Sequence, residues 1–131
     1  MKVLVDENLS PALAKALSAL FAGRHEIVHI RERFGGGVED EVWIGTLSAE
    51  GRWVVISGDR RITRNRLEYE AFRRSNLVGF FLSRGLFKSS VVKQMERILA
   101  LWDRIEQQSA IVQGGAMFEL PVKSTRLGQL R

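Results

Sequence analysis

Two kinds of apolar pattern alternate along this chain. Short unbroken runs occur at Val3-Leu4-Val5, Ile27-Val28, Trp53-Val54-Val55-Ile56 and Val78-Gly79-Phe80-Phe81-Leu82. Such runs, rich in β-branched and aromatic residues, predict strands over about residues 3–5, 25–30, 52–56 and 78–82, buried on both faces as in a parallel sheet. Between them, apolar residues recur every three or four positions, which predicts amphipathic helices. Leu9, Leu13, Ala16, Leu17 and Leu20 form one such face over about residues 10–21, with Ser10 as N-cap, Pro11 in the first turn and Gly23 as C-cap. Val42, Trp43, Ile44 and Leu47 mark a second helix that opens at Glu39-Asp40-Glu41 and ends near Gly51. A third, capped by Thr63, runs through Phe72. Val91, Val92, Met95, Ile98, Leu99, Trp102 and Ile105 form one long stripe, read as a single fourth helix over about residues 89–108.

The segments between these elements read as loops and turns. Residues 31–37, ending in Gly35-Gly36-Gly37, read as a flexible loop with neither a Walker nor a dinucleotide-binding spacing. Residues 110–112 and 117–120 suggest two short strands of a hairpin around Gly114-Gly115, and Pro121 breaks that pattern. Residues 121–131 then read as a basic, mobile tail after one domain over residues 1–120. The strand–helix alternation implies an α/β fold: a mainly parallel central sheet of about four to five strands with helices on both faces.

Composition changes this picture in few places. A chain of 131 residues, 45% of them apolar, is one domain with a real core. It contains no membrane-length apolar run, and its first residues enter a strand rather than a signal peptide. The absence of cysteine excludes disulfides and thiolate metal sites and fits a cytoplasmic protein. His25 and His29, the two histidines, sit on one expected strand, which favours structural roles over metal binding. Net charge changes more. It is +5, and six arginines fall between Arg60 and Arg74, which points to a polyanionic partner such as nucleic acid.

The candidate chemistry lies at strand ends. Asp6 closes the first strand, and Ser57-Gly58-Asp59 closes the third. Neighbouring first and third strands would bring Asp6 and Asp59 together, and Asp40 at a helix head can join them. Glu39 and Glu41 compete with Asp40 for that place, and all three acids also suit a helix N-terminus for its dipole alone. Clustered carboxylates need a cation, and an all-oxygen set selects Mg²⁺ or Mn²⁺. Arg60, Arg61, Arg64 and Arg66 would then hold substrate phosphates.

The opening Val3-Leu4-Val5-Asp6-Glu7-Asn8-Leu9-Ser10-Pro11, the helix-start Asp40 and the string Val54-Val55-Ile56-Ser57-Gly58-Asp59-Arg60-Arg61-Ile62 resemble the PIN-like domain family. Within it they are similar to the branch of VapC-type toxins of toxin–antitoxin pairs. The resemblance covers about residues 2–120. It implies a three-layer α/β/α fold, metal-dependent cleavage of RNA, and an antitoxin protein as partner. Asp6, Asp40 and Asp59 match its metal-binding, catalytic acids, with Glu7, Asn8 and Ser57 as secondary candidates. Many members carry a further acid after the next strand, where this chain has Leu82-Ser83-Arg84. Three acids then suffice, or Glu7 fills in, or catalysis is weakened.

Two other readings stay open. One is a silent family member that binds RNA or a partner without cutting. The other is a phospho-acceptor receiver domain using Asp6, Glu7, Asp59 and Ser83, which needs a lysine after strand five that residues 110–115 do not offer. The long fourth helix also has apolar residues enough for a homodimer. If Asp59 is a metal ligand, Asp59→Asn abolishes cleavage yet leaves the metal-free melting temperature unchanged or higher, because a repulsive carboxylate is gone. A clear loss of stability in thermal denaturation would assign Asp59 a structural role instead.

Overall fold

The computed structural model describes residues 1–58 and 61–130. The chain runs β1 (Lys2–Val5), α1 (Pro11–Leu20), β2 (Glu26–His29), α2 (Ile30–Phe34), α3 (Asp40–Glu50), β3 (Val54–Ser57), α4 (Arg61–Arg64) and α5 (Arg66–Arg73). It continues with β4 (Val78–Leu82), α6 (Arg84–Phe87), α7 (Val91–Ala100), α8 (Trp102–Ile111), β5 (Met117–Leu120) and β6 (Gly128–Leu130). The strands form one sheet in the order β2-β1-β3-β4-β5-β6. All neighbours are parallel except β5 and β6. Among the described residues no helix is long and apolar enough to cross a membrane.

The unbroken apolar runs serve two cores at once, because successive strand residues point to opposite faces. Val3, Val5, Val54, Ile56, Val78, Phe80, Leu82, Phe118 and Leu120 pack against Leu13 and Leu17 of α1, Ile98 of α7 and Ile105 of α8. Leu4, Val55, Phe81 and Met117 face the other way, onto Trp43, Ile44 and Leu47 of α3 and Phe72 of α5. The result is the expected three-layer α/β/α arrangement. It has six strands rather than four or five.

Several expected elements need correction. Residues 31–37 are not all loop. Ile30–Phe34 is helical because His29 acts as N-cap: its Nδ1 accepts from Arg31 N at 3.2 Å, while Glu32 accepts from His29 N at 3.4 Å. Histidine is a rare capping residue, so the helix start carries no ordinary signal. Gly35, with φ +77°, ends that helix. The third expected helix is two. Asn65, not Thr63, caps α5 by accepting from Leu67 N and Glu68 N. The fourth expected helix breaks at Leu101, where φ −99° and ψ 2° leave helical geometry. The apolar stripe stays in phase across that break, so its periodicity alone reads as one helix.

Residues 110–112 form no strand; Ala110 and Ile111 complete α8. Gly114 and Gly115 are not a hairpin tip either. A Cβ on Gly115, whose φ is +90°, would lie 2.2 Å from Arg73 O, so the glycine admits a close backbone crossing. The hairpin partner of β5 is β6, drawn from the segment expected to be a tail. Arg73 holds it by donating from Nη2 to Leu130 O at 2.8 Å, and Arg97 by donating to Pro121 O and Ser124 O at 3.2 and 2.6 Å.

Gly79 sits mid-strand with no room for a side chain. A Cβ there would meet Phe81 Cε2 at 2.6 Å and Phe72 Cζ at 3.0 Å. Gly79→Ala should therefore cost about 1–3 kcal/mol by overpacking, read as a lower urea midpoint. An unchanged midpoint would show that the two rings have slack.

Candidate functional site

The sheet order reverses at β1. The chain goes from β1 to β2 on one side, and β3 lies on the other. In open α/β sheets the crevice outside the carboxyl ends of two such strands is where ligands bind. Asp6 stands at that point, its N–H donating to Ile56 O at 2.9 Å, one step past the end of β1.

The Asp6 carboxylate is braced from two sides. Oδ1 accepts from Glu7 N at 2.7 Å, and Oδ2 accepts from Ser57 Oγ at 2.9 Å. Asn8 donates from Nδ2 to Ser57 Oγ at 3.3 Å and accepts at Oδ1 from Gly58 N at 2.8 Å. A Cβ on Gly58 would lie 2.4 Å from Phe87 Cε1, so only glycine fits this turn. Asp40 opens α3, and its Oδ1 accepts from Trp43 Nε1 at 2.8 Å. Trp43 is almost wholly buried, so this bond fixes the carboxylate to the core.

Asp6, Glu7, Asn8, Asp40 and Ser57 line one small cavity of about 40 Å³. A wider one of about 530 Å³ shares Glu7 and Asp40 and is lined as well by Glu39, Arg64, Asn65 and Glu68. The structure thus brings Asp6 and Asp40 to one wall, beside the secondary candidates Glu7, Asn8 and Ser57. Glu39 reaches only the wider space, and Glu41 is exposed and lines neither. Of the expected phosphate-binding arginines, Arg64 lines the wider cavity. Arg66 is highly exposed and instead pairs with Glu70 at 3.2 Å, one helical turn away. Asp59, Arg60 and the Arg61 side chain lie outside the described residues.

Sequence reasoning missed Trp43 as the group that orients Asp40, although the three-residue spacing on a helix was a usable signal. It also missed Asn65 and Glu68, for want of the α4–α5 break that points them at the cavity. Both histidines are structural, as expected. His29 Nε2 donates to Leu9 O at 2.9 Å while its Nδ1 receives Arg31 N, which requires the neutral Nε2–H tautomer. His25 packs by Phe21 and Trp102 and meets Glu106 at 3.3 Å.

The donors at Asp6 and Asp40 are oxygens, which suit a hard divalent cation. Among the described residues, however, no three acids or histidines are grouped closely enough to hold a metal ion. At the end of β4, Ser83 accepts from Leu86 N at 3.3 Å and caps α6, so that position is a helix start without a carboxylate. The missing lysine needs revision. The fifth strand ends at Leu120, and Lys123 follows it, so residues 110–115 were the wrong place to look.

Glu7 Oε1 accepts from Gly37 N at 3.2 Å and from Arg31 Nε at 3.3 Å. The Gly37 amide first, and then Arg31, hold its carboxyl below the ordinary glutamate range, against some desolvation. A carboxyl depressed on folding stabilises the folded state above its unfolded pKa, and that contribution is lost as pH falls through the folded one. In metal-free protein an NMR titration should place the Glu7 midpoint below that of a free glutamate, and Arg31→Ala should undo only part of the depression. Full return to the ordinary range in that variant would assign the effect to Arg31 alone.

A family model described as a PIN like domain matches residues 1–84 of the chain. Comparison with curated proteins and with solved structures finds no match.

Proposed function

The chain belongs to the PIN-like domain family, and from that premise we propose that it is a metal-dependent endoribonuclease. One observation carries the reading. Asp6 from the end of β1 and Asp40 from the head of α3 share the wall of one polar cavity at the sheet's switch point, next to the space lined by Arg64. Asp6 and Asp40 would hold the ion, with Asp59 the third acid by sequence. A bound Mg²⁺ or Mn²⁺ supplies Lewis-acid polarisation of a phosphoryl oxygen and lowers the pKa of water.

The chain's own residues set the stage for that chemistry. The Ser57 hydroxyl fixes the rotamer of Asp6, and the Trp43 indole fixes that of Asp40. Both bonds restrain carboxylates that line the same cavity. Arg64 in the adjoining space is placed to meet a flanking phosphate, where a guanidinium gives two parallel hydrogen bonds.

The finer reading, a toxin whose partner is an antitoxin protein in the cytoplasm, is supported by the likeness of Asp6-Glu7-Asn8-Leu9-Ser10-Pro11 to the toxin branch. A second reading, a family member that binds RNA without cutting, is favoured by Ser83, which takes the place of a carboxylate after β4. The family match weighs against a phospho-acceptor receiver domain.

The test is cleavage of a mixed tRNA and rRNA pool with Mn²⁺ or Mg²⁺ and with chelator, comparing the natural chain with Asp6→Asn. The expected outcome is metal-dependent cutting that the substitution reduces by at least a hundredfold, a loss of about 3 kcal/mol or more of transition-state stabilisation. Folded protein that binds the pool and leaves it intact in Mn²⁺ would favour the silent reading.

A further inference from the structure

Asp6, Glu7 and Asn8 are consecutive, yet each engages a different part of the crevice. Glu7 does not turn toward Ser57. Its Oε1 receives Gly37 N and Arg31 Nε, both from the connection between β2 and α3. Gly37 precedes Val38, Glu39 and Asp40, so the Glu7 carboxylate grips the backbone just upstream of the second acid. That backbone turns at Gly35 and Gly37, at φ +77° and +75°, conformations that favour glycine. Asn8 reaches the opposite way. It accepts from Gly58 N and donates to Ser57, and so holds the turn at the end of β3.

We propose that Glu7 and Asn8 are positioning residues, one on each side of Asp6: Glu7 sets the loop that delivers Asp40, and Asn8 sets the Ser57-Gly58 turn whose hydroxyl braces Asp6. The inference rests on the metal-site reading above. It assigns Glu7 a different role from that of a replacement fourth ligand, because two donors already converge on its Oε1. The physical need is plain. Ligands drawn from separate connections must be held to within about half an ångström, and a polar side chain bonded to a backbone amide of the ligand-bearing segment does this.

The decisive property is acceptor capacity, not charge. Glutamine at position 7 keeps an oxygen for Gly37 N, and alanine does not. The experiment measures amide exchange at Gly37 by NMR without metal, and Mn²⁺ binding by calorimetry, in the natural chain, Glu7→Gln and Glu7→Ala. Glu7→Ala should speed exchange at Gly37 and weaken Mn²⁺ binding, each about tenfold, the weight of one net hydrogen bond, and Glu7→Gln should restore both. At position 8, Asn8→Ala should speed exchange at Gly58, and Asn8→Asp, which keeps the acceptor, should not.

Loss of Mn²⁺ binding in Glu7→Gln with Gly37 exchange unchanged would make Glu7 a ligand and overturn the proposal. Unchanged exchange and binding in Glu7→Ala would overturn it as well. A natural chain that binds no Mn²⁺ overturns the metal-site reading. That failure is distinct from failure of the tether, because the exchange rates are measured without metal.

Discussion

Everything at the site follows from the position of β1 inside the sheet. Its backbone is hydrogen-bonded in parallel to β2 on one edge and to β3 on the other. Neighbours on both edges and helix-packed cores on both faces bury Val3, Leu4 and Val5, which are apolar for that reason. The first polar side chain after it, Asp6, emerges where the chain crosses from one direction of winding to the other. There the sheet order reverses, and a crevice forms outside the carboxyl ends of β1 and β3. The half-buried acid therefore reaches the crevice by topology while its backbone is held by the ladder, through Asp6 N to Ile56 O.

Charge is used inside the fold more than composition suggests. Arg52 donates to Ser109 O and Val112 O, Arg73 to Gly115 O and Leu130 O, and Arg97 to Pro121 O and Ser124 O. These guanidinium groups tie down connections by donating to backbone carbonyls at or near the ends of elements. Arg33 pairs with Glu50, and Arg31 with Glu7. A net charge of +5 thus overstates the basic surface offered to a polyanion, and a count of arginines cannot separate clamps from contacts.

The sequence made β1, β3, β4 and α1 legible because each is specified locally: an unbroken apolar run, or a periodic face behind Ser10 and Pro11. Asp6 and Asp40 were legible for the same reason, as polar residues at the borders of such elements. What escaped depends on distant contacts. A histidine cap for α2 arises only once His29 is oriented by Leu9 O, from another connection. The break at Leu101 comes where Trp102 stacks on Phe21, with ring centroids 4.4 Å apart, a contact no periodicity reports. β6 is short and polar, and it is a strand only because β5 offers an open edge. The partner of Asp40, Trp43, was visible as an apolar helix residue, but its indole N–H gave no sign of where it would point.

The order of pairing carries a consequence for how the molecule assembles. Among the described residues, only β5 and β6 pair antiparallel and close in sequence. Every other pairing joins strands separated by a helix or more, with Val3 beside Val54 and Phe80 beside Phe118. Parallel neighbours cannot form until the intervening crossover is laid down, and the loop-closure entropy comes before any ladder contact repays it. No hairpin can nucleate the N-terminal part of the sheet. Pairing of β1 with β3 waits on the helices laid down between them. The cavity wall that Asp6 and Asp40 share therefore rests on non-local pairing, the kind of topology that goes with slow folding.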